Sequence, residues 1–186
     1  MVSRIFVLGG TRSGKSRYGR ERASALGGDA VTYVATAWRG DAELEERIAA
    51  HQADRPAAWE TIEAGADLAG AIAGAREGNV LLVDSLTLWV SAVSPDRLAA
   101  AWSEARRALA ARATAAVLVS DEVGLGIVPD TPVVRRFRDD LGRVNQDAAA
   151  LADEVVLLVA GLPLQLKGRL SGPLEGPPNG EREVSR

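Results

Sequence analysis

The chain contains no cysteine, which excludes a disulfide framework, thiolate metal ligation and a thiol nucleophile. Any covalent catalysis must use another group. Long apolar runs are missing too: 47% of the 186 residues are apolar, yet no segment approaches the ~18 consecutive apolar residues that a membrane helix needs. No spanning helix is expected. The N-terminus has neither the long apolar stretch nor the small-residue cleavage site of a signal peptide, which predicts a cytoplasmic protein. Charge of one sign is also absent. The 22 basic and 25 acidic residues are interspersed, for a net charge of −3, so there is no electrostatic footprint for nucleic acid and a small-molecule substrate is favoured. Phe and Tyr are scarce, two of each against four Trp, and the Trp spacing suggests no base-stacking platform; these rings read as core or pocket wall.

What is present is alternation. Short β-rich runs separate longer segments of helical period, the pattern of parallel strands joined by crossover helices. The expected architecture is α/β: a single P-loop NTPase-type domain with a mainly parallel sheet flanked by helices. It should span about residues 1–170, followed by a disordered Gly- and Pro-rich tail over 171–186. A first strand is expected at about Arg4–Leu8, a helix from Gly14 to Leu26 and a second strand at Val31–Thr36. A helix follows over Asp41–Ala53, then a short strand at Trp59–Glu63 and a helix at Asp67–Arg76. Val80–Asp84 is apolar on both faces, as a central parallel strand requires. Ser94-Pro95 reads as an N-cap followed by proline, opening a helix to about Ala113, and Thr131-Pro132 opens another to about Leu151. Ala116–Ser120 and Val155–Ala160 complete the strands.

Residues Gly9, Gly10, Thr11, Arg12, Ser13, Gly14, Lys15 and Ser16 match the full Walker A pattern, with a strand before and a helix after. Backbone N–H groups of such a loop point at phosphate oxygens, and the helix start adds its partial positive charge. Lys15 is expected on the β- and γ-phosphates and the Ser16 hydroxyl on Mg²⁺. An ordinary glycine turn has no reason to end in Lys-Ser. Asp84, closing the apolar strand, is placed as a Walker-B-type metal-side carboxylate; a plain turn cap is the competing role. Asp121 and Glu122 follow another strand, and either is a candidate second metal-side or base carboxylate.

His51 is the only histidine. It closes the apolar stripe of Leu44 and Ile48 on the Asp41–Ala53 segment. Pattern leaves two roles open, a satisfied core residue or a neutral imidazole nucleophile toward phosphorus.

Several segments together resemble the bifunctional adenosylcobinamide kinase/adenosylcobinamide-phosphate guanylyltransferase family of cobalamin biosynthesis. They are the loop Gly9–Ser16, Tyr33–Thr36, Arg47–Pro56 with Trp59, Val83–Trp89, Asp121–Pro129 and Gly142–Gln146. The similarity runs in order from about Ile5 to Lys167. It implies a P-loop α/β enzyme, assembled as a homotrimer, with two activities. ATP or GTP would phosphorylate a hydroxyl of adenosylcobinamide, a corrinoid; His51 would then take GMP from GTP and pass it to the new phosphate. By the same resemblance, GTP contacts fall on Gly9 through Ser16, Ala35, Thr36, Ala37, Gln52, Ala53, Asp54, Arg55, Glu63 and Asp84. Gln52 stands where some relatives carry a basic residue, and Ala50 where a relative carries a second histidine. Two other functions fit the loop alone: a P-loop kinase of another small molecule with His51 merely packed, and a nucleotide-binding switch without turnover.

Overall fold

A computed structural model describes residues 3–36 and 56–168. Seven strands form one sheet in the order β3-β2-β4-β5-β1-β6-β7. In chain order they are β1 (Arg4–Gly9), β2 (Val31–Ala35), β3 (Glu60–Glu63), β4 (Val80–Asp84), β5 (Ala116–Asp121), β6 (Glu154–Val159) and β7 (Leu162–Lys167). The first six are parallel, and β7 returns antiparallel along β6. The interior strands β1, β4 and β5 carry unbroken apolar runs because helices cover both of their faces.

Five described helices are α1 (Lys15–Gly27), α2 (Leu68–Gly74), α3 (Leu86–Ala92), α4 (Leu98–Ala111) and α5 (Pro132–Leu151). Alternate side chains of β1, β2, β4, β5 and β6 feed two cores. One packs Phe6, Leu81, Val83 and Leu118 against α2, α3, α4 and α5 around the Trp89–Trp102 pair, whose ring centroids lie 5.8 Å apart. The other packs Ile5, Val7, Leu82, Val117 and Val119 against α1 and Trp59. Trp59, Trp89 and Trp102 are buried, as expected of core rings, and each indole N–H finds an acceptor: Gly28 O, Ala66 O and Asp147 Oδ2.

The α/β architecture stands, with three corrections. Ser94-Pro95 does not open a helix. Pro95, Asp96 and Arg97 form a turn in which the Arg97 N–H donates to Ser94 O, and α4 begins at Leu98. A seven-residue helix, α3, starts directly after β4, capped by the Ser85 hydroxyl accepting from the Leu88 N–H. A last strand, β7, follows a two-residue turn at Ala160 and Gly161, both with positive φ. The expected Asp41–Ala53 helix and the 171–186 tail lie outside the described residues. Among those described, no helix is long and apolar enough to cross a membrane.

Candidate active site

Parallel strands deliver their C-terminal ends to one edge, and the register fixes which residues meet there. Ala35 is level with both Glu63 and Asp84, and Gly9 is level with Asp121. Ligands of open α/β sheets bind outside this edge, where successive connections diverge. Here the chain leaves β1 for β2 on one side, and later returns from β5 across β1 to β6.

The loop after β1 is shaped by backbone constraints. A Cβ on Gly9 would run into the Ser13 hydroxyl and stand 3.0 Å from Leu158 O, so residue 9 must be glycine. Gly14 takes φ 92° as the N-cap of α1, a left-handed conformation that L side chains rarely adopt, and no side chain caps the helix. The first N–H groups of α1 are therefore left for an incoming acceptor. The Gly161 N–H bonds Ser13 O, so the turn between β6 and β7 braces the loop from outside. Buried Ser13 Oγ has no partner among the described residues.

Two predicted carboxylates, Asp84 and Asp121, converge on Ser16 and Lys15 of this loop. Ser16 Oγ donates to Asp84 Oδ1 at 3.2 Å, and Tyr33 Oη donates to Asp84 Oδ2 at 3.1 Å. Lys15 Nζ pairs with Asp121 Oδ1 at 2.5 Å and donates to Gly10 O at 3.3 Å. Thr36 Oγ1 accepts from the Ser85 N–H at 2.8 Å and donates to Ser85 O at 2.6 Å, tying β2 to the end of β4. Glu63 ends β3, two strands from Asp84 on the same edge. Gly10, Thr11 and Arg12 are exposed on the crest of the loop. Ala37, His51, Gln52, Ala53, Asp54 and Arg55 lie outside the described residues.

A model of the cobinamide kinase / cobinamide phosphate guanyltransferase family matches residues 5–166. The chain belongs to this family. Its curated relatives include the bifunctional adenosylcobalamin biosynthesis protein CobP of Pseudomonas aeruginosa, 44% identical over 89% of this chain and 98% of the relative. CobU of Salmonella typhimurium, with the same description, is 39% identical over 88% of this chain and 99% of its own length. Among solved structures, an ATPase from the type III secretion system of pathogenic bacteria superposes with a TM-score of 0.56 at 14% identity, over 88% of this chain and 56% of that one. A Pyrococcus horikoshii protein, PH0250, gives 0.53 at 8% identity, over 89% and 86%. These two likenesses concern the fold alone. Membership of a kinase/guanyltransferase family makes the chain an enzyme.

Within this family member, three contributors to the site were missed in the sequence. Tyr33 holds Asp84 from β2; it lies two residues before Ala35, and period-2 alternation puts both on one strand face, which was the available signal. Thr87 Oγ1 accepts from the Asp121 N–H at 2.7 Å, and Asn145 Nδ2 donates to Asp121 O at 3.1 Å. Both sit inside segments that resemble the family, but their partnership with Asp121 depends on helix packing. Glu122, paired with Asp121 as a candidate, turns away: its Oε1 accepts from the Gly124 N–H at 2.5 Å.

Proposed function

We propose that this chain is a cytoplasmic enzyme that phosphorylates adenosylcobinamide with ATP or GTP and then transfers GMP from GTP to the product, giving adenosylcobinamide-GDP. The convergence of Lys15, Ser16 and Asp84 beside a helix start without a side-chain cap, in a chain of this family, carries the reading. In the first reaction the substrate hydroxyl oxygen attacks the γ-phosphorus and the nucleoside diphosphate leaves. Backbone N–H groups of Gly9–Ser16 hold the phosphates, and Lys15 offsets the charge that builds on the bridging and γ-oxygens.

Ser16 Oγ and Asp84 Oδ1 are hard oxygen donors side by side, a pair that suits Mg²⁺. No group of three His, Cys, Asp or Glu side chains gathers among the described residues, which suits an ion held by one carboxylate, one hydroxyl and phosphate oxygens. When bound, such an ion neutralises phosphate charge. Tyr33, by donating to the other Asp84 oxygen, fixes the carboxylate's orientation.

In the second reaction His51, the only histidine, attacks the α-phosphorus of GTP and expels pyrophosphate, leaving a guanylyl phosphoramidate. The phosphate of the first product then displaces the imidazole. Splitting one displacement into two is the ordinary advantage of a covalent intermediate. GTP contacts are assigned to Gly9–Ser16, Ala35, Thr36, Ala37, Gln52–Arg55, Glu63 and Asp84. The assembly is assigned as a homotrimer, which equilibrium sedimentation tests. Incubation with α-labelled GTP and Mg²⁺ should leave acid-labile label on the wild-type protein and none on His51→Ala. Wild type that takes no label, or His51→Ala that still takes it, overturns the covalent step; γ-phosphate transfer without label leaves a kinase only.

A further inference from the structure

The edge described above carries four carboxylates, and three have other duties or positions. Both Asp84 oxygens are engaged, by Ser16 and Tyr33. Glu122 folds back onto the Gly124 N–H. Glu63 ends β3, which β2, β4 and β5 separate from the P-loop strand β1. Asp121 alone faces the loop lysine, with Oδ1 2.5 Å from Lys15 Nζ.

Its backbone is unusually well fixed for a strand end. Thr87 of α3 accepts from its N–H, and Asn145 of α5 donates to its C=O. Asn145 is itself oriented by accepting from Ser120 Oγ at 2.7 Å. The next N–H along the chain, that of Glu122, donates to Gly9 O of the neighbouring strand β1 at 3.1 Å, so the end of β5 and the start of the P-loop are clamped together. The Asp121 side chain keeps 22% of its surface exposed, open to an incoming molecule.

We propose that Asp121 accepts the proton of the acceptor hydroxyl in the phosphoryl-transfer step. The inference rests on the kinase reading above. Once Lys15 turns to the β- and γ-phosphates, the carboxylate it leaves stands beside the γ-phosphoryl group, where the attacking oxygen must arrive in line. The hydroxyl proton passes to Asp121, the new O–P bond forms, and the bond from the γ-phosphorus to the bridging oxygen breaks to release the nucleoside diphosphate. A base within hydrogen-bond reach contributes roughly 10²–10⁴-fold.

The test compares wild type with Asp121→Asn in a cobinamide kinase assay using γ-labelled ATP, alongside self-labelling from α-labelled GTP, a step in which no acceptor hydroxyl loses a proton. Asp121→Asn should lose roughly 10²–10⁴-fold in kinase kcat without a higher nucleotide KM, while self-labelling falls far less. Asp121→Glu should recover part of the loss. A kinase kcat unchanged in Asp121→Asn, or kinase and self-labelling falling in proportion, overturns the proposal. If Asp121→Asn melts below assay temperature, Asp121→Ala carries the same comparison against wild type. Wild type that phosphorylates no cobinamide removes the kinase reading itself, a result distinct from a wild-type kinase indifferent to residue 121.

Discussion

Phosphate oxygens that recruit Lys15 compete with a carboxylate already on it. Lys15 Nζ and Asp121 Oδ1 are 2.5 Å apart, with side chains 12% and 22% exposed. A hydrogen bond between charged groups contributes about 1.5–3 kcal/mol net, and partial solvent screening brings the figure toward ~1–2 kcal/mol. In Asp121→Asn that competition weakens, and with it the repulsion between the carboxylate and bound phosphates. At 1.4 kcal/mol per tenfold, GTP should bind roughly 5- to 30-fold tighter. Lys15→Ala must act in the opposite sense, because it removes the cation and spares the anion. Isothermal titration calorimetry with GTP and Mg²⁺ reads both, and raising the salt should narrow the difference between wild type and Asp121→Asn. GTP bound by Asp121→Asn with wild-type or weaker affinity refutes the competition. Combined with the kinase assay, the expected signature is a variant that binds nucleotide better and turns it over worse.

Three further outcomes follow from the packing. Gly9→Ala forces a methyl group against Ser13 Oγ and Leu158 O; overpacking of this kind costs about 1–3 kcal/mol, and the shift of GTP on the melting temperature should vanish with it. Arg22 makes a two-pronged bond to buried Glu154, at 2.7 and 2.9 Å. Breaking a buried pair costs about 3–5 kcal/mol, less here because Arg22 can reach water; at 2–4 °C per kcal/mol, Glu154→Ala should melt roughly 5–12 °C lower. An unchanged melting curve would contradict the pairing. Glu60 accepts from the Thr32 hydroxyl at 2.5 Å, and this bond, working against burial, holds its carboxyl below the ordinary 4.5. A depressed carboxyl contributes stability that is complete above the unfolded value and is lost as pH falls through the folded one. Glu60→Gln should therefore remove part of the stability loss below about pH 4.5, read by denaturant midpoints across the acid range. Parallel curves for the two proteins would refute it.

Features written in local chemistry were legible from the sequence. The P-loop requires glycine where a Cβ would collide, and lysine and serine at fixed places, so residues 9–16 identify themselves. Val80–Asp84 announced a central strand because both of its faces are apolar. Ser94-Pro95 misled because the same dipeptide serves a turn as well as a helix start, and only the Arg97 to Ser94 bond decides between them. β7 escaped because its alternation is inverted: Leu162, Leu164 and Leu166 point outward and are exposed, while Pro163 and Gln165 are partly covered. α3 is too short for a helical period to show.

The Lys15–Asp121 contact was illegible for a deeper reason. Their separation along the chain is large, and nothing in either segment states that β5 lies between the P-loop strand β1 and the Asp84 strand β4. That strand order converts two strand-end carboxylates of similar local appearance into different groups. Asp84, one strand farther from the loop, meets the Ser16 hydroxyl at the start of α1 and a tyrosine, the setting of a metal-side ligand. Asp121, directly beside Gly9, meets the lysine, the setting of a group that confronts the transferred phosphoryl. On this division, exchanging the two roles must fail in both directions. Asp84→Asn should weaken the Mg²⁺ dependence of nucleotide binding and leave the Lys15–Asp121 competition intact, whereas Asp121→Asn should relieve the competition and leave the Mg²⁺ dependence unchanged. Calorimetric titrations of both variants, with and without Mg²⁺, separate these effects, and an Asp121→Asn variant that loses its Mg²⁺ dependence would show that the two carboxylates share one function.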